Sequence, residues 1–331
     1  MNYLKHPPQP ILLPPYRPFV CRNEVDRYGA SWVFANKCNL VRPPRSFSNW
    51  VHGWIWADQP SSRLLACSNL RRSTKIIVRS EQEREALVRE GFTAVIVGGL
   101  PFAYVPPQNT TRIQGSLLVV PAHSAGSEEV RCGHEHYLDY LLSEQKNFSR
   151  IIVCIYYLDK GKEVEKQARR RGFEVVYGAR PDDANSLLRM RTLFDSVEYV
   201  TSNTMGSHMI YALSAGCKFS FCGPFYEYER DVFLGGGNVL GHSIEHVEEL
   251  LYIQSEGYIR QRFGKFFKES PLGGFTAVDF ANETLGRELL SADELRHALG
   301  WRASDQVVGY CRGAVNRLAR LAVRSLRIRC S

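Results

Sequence analysis

EYVTSNTMGSHMIYALSAGCKFSF, Glu198 to Phe221, decides the fold. Its first five residues mix aromatic and β-branched side chains, the composition of a strand. Met209, Ile210, Ala212 and Leu213 then recur at helical spacing, and Gly216 is a fitting helix terminator. CKFSF (217–221) is a second strand. Strand, helix and strand in so short a span form a βαβ unit and therefore a parallel pair.

The same alternation extends upstream. Strands are expected at 116–120, 151–155 and 173–177, with helices near 134–144, 162–171, 185–195 and 206–215. Repeated βα units imply a parallel, doubly wound sheet with ligands beyond the carboxyl ends of its strands. Nearer the amino end, KIIV (Lys75–Val78), a helix from EQEREALVREG and a strand from TAVIVGG form a shorter α/β unit. The proline-rich stretch LPFAYVPPQNTT reads as the crossing between the two. A helical region capped by Ser243 runs to 266, and another helix spans Ala292 to Leu299. The expected domains are thus 1–110, 111–266 and a helical extension at 267–331.

Charge and cysteines narrow the function. The chain has 331 residues and a formal net charge of +8. Arg312, Arg317, Arg320, Arg324, Arg327 and Arg329 lie in the last twenty residues without one acid, so the body is nearly balanced. That argues against nucleic acid as a partner. Arg317, Arg320, Arg324 and Arg327 oppose a stripe of Val315, Leu318, Leu321, Ala322 and Leu326, the pattern of a helix lying on an anionic membrane surface. Nine scattered cysteines without a CxxC pair indicate neither zinc nor a disulfide framework. The amino end, MNYLKHPPQPILLPPYRPF, lacks a signal-peptide core. The expected location is therefore the cytoplasm, with peripheral attachment to the inner face of the plasma membrane.

The residues following the expected strands carry the candidate chemistry. Thr201, Ser202, Asn203, Thr204, Ser207 and His208, with Gly206 among them, surround one helix start. They suit a phosphate-bearing ligand, because free N–H groups and hydroxyls donate to anions; a simple helix cap by Thr204 or Ser207 is the plainer alternative. His123 and Ser124 follow the first strand of the larger unit. Arg180, in YGARPDD, is either a cation for phosphate or a partner for Asp182 or Asp183. His52 stands among tryptophans in NWVHGWIW as a candidate general base, with Asp58 as the carboxylate alternative. No Asp-x-Asp signature occurs, so no metal is expected.

These motifs resemble a known family. The pattern TSN-x-x-GSH-x-x-YA-x-x-x-G, with VVPAHSAG (Val119–Gly126) and NWVHGWIW (Asn49–Trp56), resembles bacterial surface-polysaccharide glycosyltransferases of the two-Rossmann GT-B fold. It is also similar to the nucleotide-sugar sites of sialyl- and Kdo-transferases. The resemblance covers roughly residues 45–225, and the amino-terminal half is short for such a fold. It implies two Rossmann-like domains with parallel sheets, the amino-terminal one short. It implies His52 or Asp58 as catalytic base, and His123, Ser124, Arg180, Thr201–Thr204 and Gly206–His208 on the donor. The nucleotide-sugar is a substrate, no cofactor is expected, and the acceptor is a glycan or a lipid-linked sugar. A sugar-nucleotide epimerase of the same fold and a non-catalytic nucleotide-sugar-binding protein are the competing readings. No clear Glu-x7-Glu pair, common in retaining relatives, is read from the sequence.

Overall fold

The computed structural model describes residues 10–124, 134–230, 233, 243–286 and 289–311. Its larger sheet has five parallel strands, β4 (Ile113–Val120), β5 (Arg150–Ile155), β6 (Glu174–Tyr177), β7 (Val197–Ser202) and β8 (Lys218–Phe221). Their order is β6-β5-β4-β7-β8. The chain thus starts in the middle, winds one way and then the other, so a crevice opens beyond the paired ends of β4 and β7, where the connections part in opposite directions. Burial drives this arrangement: β5 is buried along its whole length, and Leu117, Leu118 and Val119 of β4 are fully buried.

Helices α3 (His134–Glu144), α4 (Glu163–Arg170), α5 (Ser186–Ser196) and α6 (His208–Ser214) alternate with these strands. All lie within two residues of the expected ranges. Gly216 ends the α6 segment in the left-handed conformation, φ 79°. Helix α6 is apolar on most of its circumference, with Met209, Ile210, Ala212 and Leu213 fully buried. The ring of Tyr211, also on α6, stacks on Phe102 at 4.0 Å between centroids.

The smaller sheet is parallel too, in the order β1-β2-β3: β1 (Asn49–Trp50), β2 (Ile76–Val78) and β3 (Val95–Val97). Between the last two runs α2 (Glu81–Arg89), whose Ser80 cap accepts from the Glu83 N–H. So small a sheet cannot cover itself. The carboxyl-terminal segment returns to do it: α9 (Val278–Leu285) ends with the Leu285 carbonyl accepting from Leu100 N–H at 2.7 Å. Trp301 Nε1 donates to Ser46 Oγ at 3.0 Å. Helix α10 (Ala292–Leu299) carries a full capping box from Ser291 and Glu294. The region 267–311 is therefore part of the first lobe's core as well as an extension of the second.

Three elements depart from the sequence reading. Helix α1 (Ala30–Lys37) and strand β1 lie upstream of the first element expected from the sequence. The helix expected over 243–266 divides at Ser255 into α7 (Ile244–Gln254) and α8 (Glu256–Phe263). Ser255 is extended there, φ −64° and ψ 143°, and its hydroxyl caps the second helix by accepting from Tyr258 N–H. The arginine-rich tail, 312–331, lies outside the described residues.

Residues 15–29 form a strap across the second lobe. Asn185 Nδ2 donates to the Pro15 carbonyl at 2.8 Å, Ala184 N to Arg17 O at 2.9 Å, and Tyr28 N to Pro181 O at 2.8 Å. Arg17 N donates to the carboxylate of Asp183, which also pairs with Arg189 at 2.6 Å. Asp183 is fully buried and Arg189 nearly so.

Candidate functional site

The carboxyl ends of both sheets converge on one cavity of about 250 Å³. From the small sheet come His52 and Gly53, just past β1, and Pro101, past β3. From the large sheet come His123 past β4, Tyr156 past β5, Gly178 past β6, and Thr204 to His208 past β7. Its centre is the switch point between β4 and β7, the location parallel-sheet topology favours for a ligand.

The strap supplies a residue that the sequence reading missed. Glu24 Oε2 lies 3.1 Å from His52 Nδ1, and Glu24 Oε1 lies 3.1 Å from Arg27 Nε. Burial raises the Glu24 carboxyl, but the His52 hydrogen bond and the charges of His52 and Arg27 outweigh it and hold the group below its ordinary value. A carboxylate on Nδ1 orients an imidazole and stabilises the imidazolium that forms when Nε2 takes a proton. His52 lines the cavity. Nothing in the sequence links positions 24 and 52; only acids and an asparagine at a helix start mark Glu24.

Asp58, the alternative base, is placed elsewhere. It pairs with Arg262, lies against Tyr258, and is absent from the cavity wall among the described residues. Arg180 is likewise committed. Its guanidinium pairs with Asp182 and lies 4.5 Å and 4.7 Å from the ring centroids of Tyr16 and Tyr157. It too is outside the wall, which matches the partner reading of this residue rather than the phosphate one.

The polar cluster at the opening stretch divides in two. Thr201 Oγ1 donates to Ser220 O at 3.0 Å, Ser202 Oγ to Val120 O at 2.6 Å, and Asn203 Oδ1 accepts from Ala122 N at 3.0 Å. These three buried side chains tie the ends of β4, β7 and β8 together and do not line the cavity. Ser124 is similarly held: its N–H donates to Asp159 Oδ2 at 3.0 Å, and its hydroxyl accepts from Lys162 Nζ at 3.1 Å. Much of the polar excess therefore secures the switch point. Thr204, Gly206, Ser207, His208 and His123 do reach the wall.

Each of the wall residues has a distinct setting. Neither Thr204 nor Ser207 caps α6 through its side chain. Ser207 Oγ instead accepts from Trp54 N–H at 2.9 Å, joining the two lobes across the cleft. His123 packs its ring on Tyr156 at 4.7 Å, with Nδ1 2.9 Å from the Ser124 carbonyl. His208 bonds the Thr204 carbonyl, while its Nε2 is buried without a partner. Burial pushes the His208 imidazole down to about 3, and nearby His123 adds to the effect against the Thr204 bond. A neutral ring with its N–H already used presents a lone pair, so it accepts from a hydroxyl instead of donating to an oxyanion.

This depressed pKa has a consequence for stability. The unfolded imidazole binds its proton below about 6.5 while the folded one stays neutral to about 3, so stability falls as pH drops through that window. Between pH 6.5 and 5 the cost is about 1–2 kcal/mol. His208→Asn is expected to flatten that part of the curve relative to the parent, read from urea midpoints at pH 5 and 7. Equal pH slopes in the two proteins would show that His208 protonates freely in the fold.

Glu248 and Glu256 do stand in Glu-x7-Glu spacing, which the sequence reading did not register. They pair with Arg230 and Arg260 and take no part in the cavity wall. Among the described residues no helix is long and apolar enough to cross a membrane.

No protein family's sequence profile matches the chain, and no curated protein matches it. Among solved structures it is similar to TarM at 10% identity, with 81% of this chain and 52% of that chain covered and a TM-score of 0.34. It is similar to the S. aureus MnaA–UDP co-structure at 12% identity, with 79% and 83% covered and a TM-score of 0.35. For the GtfA/B complex the values are 11%, 83%, 54% and 0.28. The chain spans about half the length of the TarM chain it matches. The fold assignment, two parallel α/β sheets with a helical carboxyl-terminal region, stands on the topology itself.

Proposed function

We propose that the protein is a glycosyltransferase moving a sugar from a nucleotide-sugar to a glycan or lipid-linked acceptor in surface-polysaccharide synthesis. The observation that carries this is the Glu24–His52 pair facing, across one cavity, the switch point of a five-stranded parallel sheet. In this reading the nucleotide part lies against the loops after β4 and β7. His208 Nε2 accepts from a ribose or sugar hydroxyl. An acceptor hydroxyl attacks the anomeric carbon, His52 takes its proton, and the bond from that carbon to the phosphate oxygen breaks. The nucleotide leaves with the electron pair. General-base help of this kind contributes about 10²–10⁴-fold.

A panel of nucleotide-sugars incubated with and without glycan acceptors tests the proposal. Acceptor-dependent nucleotide release is the expected result. Sugar isomerisation without acceptor would replace the proposal with an epimerase, and binding without turnover would replace it with a binding protein.

Peripheral attachment through Arg317, Arg320, Arg324 and Arg327 is part of the same proposal. Each arginine near an anionic surface contributes about 1 kcal/mol. A chain ending at residue 311 is expected to lose cosedimentation with phosphatidylserine vesicles while keeping nucleotide binding. Sedimentation that survives the deletion would place the contact elsewhere.

A further inference from the structure

We propose that Arg27 reads the phosphate charge of the donor, held at the cavity by a turn that the second lobe clamps from behind. The inference rests on the nucleotide-sugar reading of this cavity. Among the described residues of the wall, Arg27 carries the one permanent positive charge. A guanidinium has five N–H donors, and only Nε is engaged, by Glu24. The Nη1 and Nη2 edge meets no acceptor among the described residues. The side chain keeps 37% of its exposure and lines the cavity. Arg180, the guanidinium that the sequence offers as one candidate for phosphate, is occupied by Asp182 and lies outside the wall.

The backbone gives an independent reason. Arg27 leaves the helical region, φ −55° and ψ 140°, inside a short helical turn. Tyr28 then takes the left-handed region, φ 57°, which a bulky side chain rarely adopts, and Gly29 follows at φ 78°. Such a conformation persists only where its surroundings over-determine it. Here they do: Tyr28 N–H donates to Pro181 O at 2.8 Å, and a Cβ on Gly29 would come within 2.4 Å of the Ala184 carbonyl oxygen. The loop after β6 thus grips the strap from behind at the point where Arg27 meets the cavity.

Glu24 completes the arrangement. It holds Arg27 Nε with one oxygen and His52 Nδ1 with the other, so the charge reader and the base share one anchor. A planar fork fixed along one edge is pre-organised to bind a phosphate bidentately with the other. The same contact would stabilise the charge that develops on the leaving phosphate.

Titration calorimetry on the full chain tests this, using uridine, cytidine and their mono- and diphosphates against wild type, Arg27→Gln and Arg27→Lys. The quantity read is the affinity gained per phosphate within each protein, so a partly unfolded variant does not bias it. Wild type is expected to gain about tenfold or more from nucleoside to diphosphate. Arg27→Gln is expected to lose most of that gain with nucleoside affinity unchanged, and Arg27→Lys to recover part of it. An undiminished gain in Arg27→Gln would overturn the assignment and leave the donor reading standing. Wild type that binds none of the six ligands would overturn the donor reading for a pyrimidine nucleotide, and this inference with it.

Discussion

His52→Ala is expected to reduce turnover by about 10²-fold or more, the usual loss on removing an acid–base catalyst. His52 belongs to the small sheet's loop, opposite the switch point, so nucleotide affinity should change little. Glu24→Gln separates orientation from proton transfer. The amide can still lie beside Nδ1, but it brings no negative charge to stabilise the imidazolium. Turnover in Glu24→Gln should therefore fall less than in His52→Ala. A Glu24→Gln rate equal to the parent's would show that the carboxylate does not assist His52. Unchanged turnover in folded His52→Ala would remove this residue from the chemistry.

The second large effect is structural. Asp183→Ala is expected to destabilise the protein by about 3–5 kcal/mol, because it leaves the Arg189 charge buried and unpaired. It also removes the acceptor for Arg17 N–H, which holds the strap against the second lobe, and for the neighbouring Asn185 N–H. The urea midpoint should fall sharply. Asp183→Leu combined with Arg189→Leu should fall less, since neither charge is then stranded. Because the strap carries Glu24 and Arg27, whatever Asp183→Ala protein remains folded should also turn over more slowly. A midpoint within error of the parent would mean that the pair is solvated and the strap is held by other contacts.

The larger sheet was legible because its signals are local. Each strand of 113–221 is a short apolar run, each helix has its own period, and Gly216 marks a stop with one residue. The smaller lobe was only half legible. β1 is two residues long, and its burial comes from partners such as Phe34 and Tyr104, whose rings meet Trp50. No window of sequence contains those contacts. Helix α1 was missed for a related reason, since the left-handed Tyr28 and Gly29 before it are imposed by Pro181 and Ala184.

The site divides along the same line. Sequence by itself determined the βα alternation, and with it that ligand-facing residues stand just after the strands, which pointed to His123, Thr204, Gly206, Ser207 and His208, while His52 was marked by its place among tryptophans; all six line the cavity. Only the tertiary structure decided which polar groups were still available. Thr201, Ser202 and Asn203 spend theirs on neighbouring strand ends, and Arg180 and Asp58 spend theirs on Asp182 and Arg262. It also brought Glu24 and Arg27 to the site from a strap whose sequence has no period. The physical reason is range: periodicity and caps act over a few residues, whereas a hydrogen-bonding group's partner is chosen by packing between segments far apart in the chain.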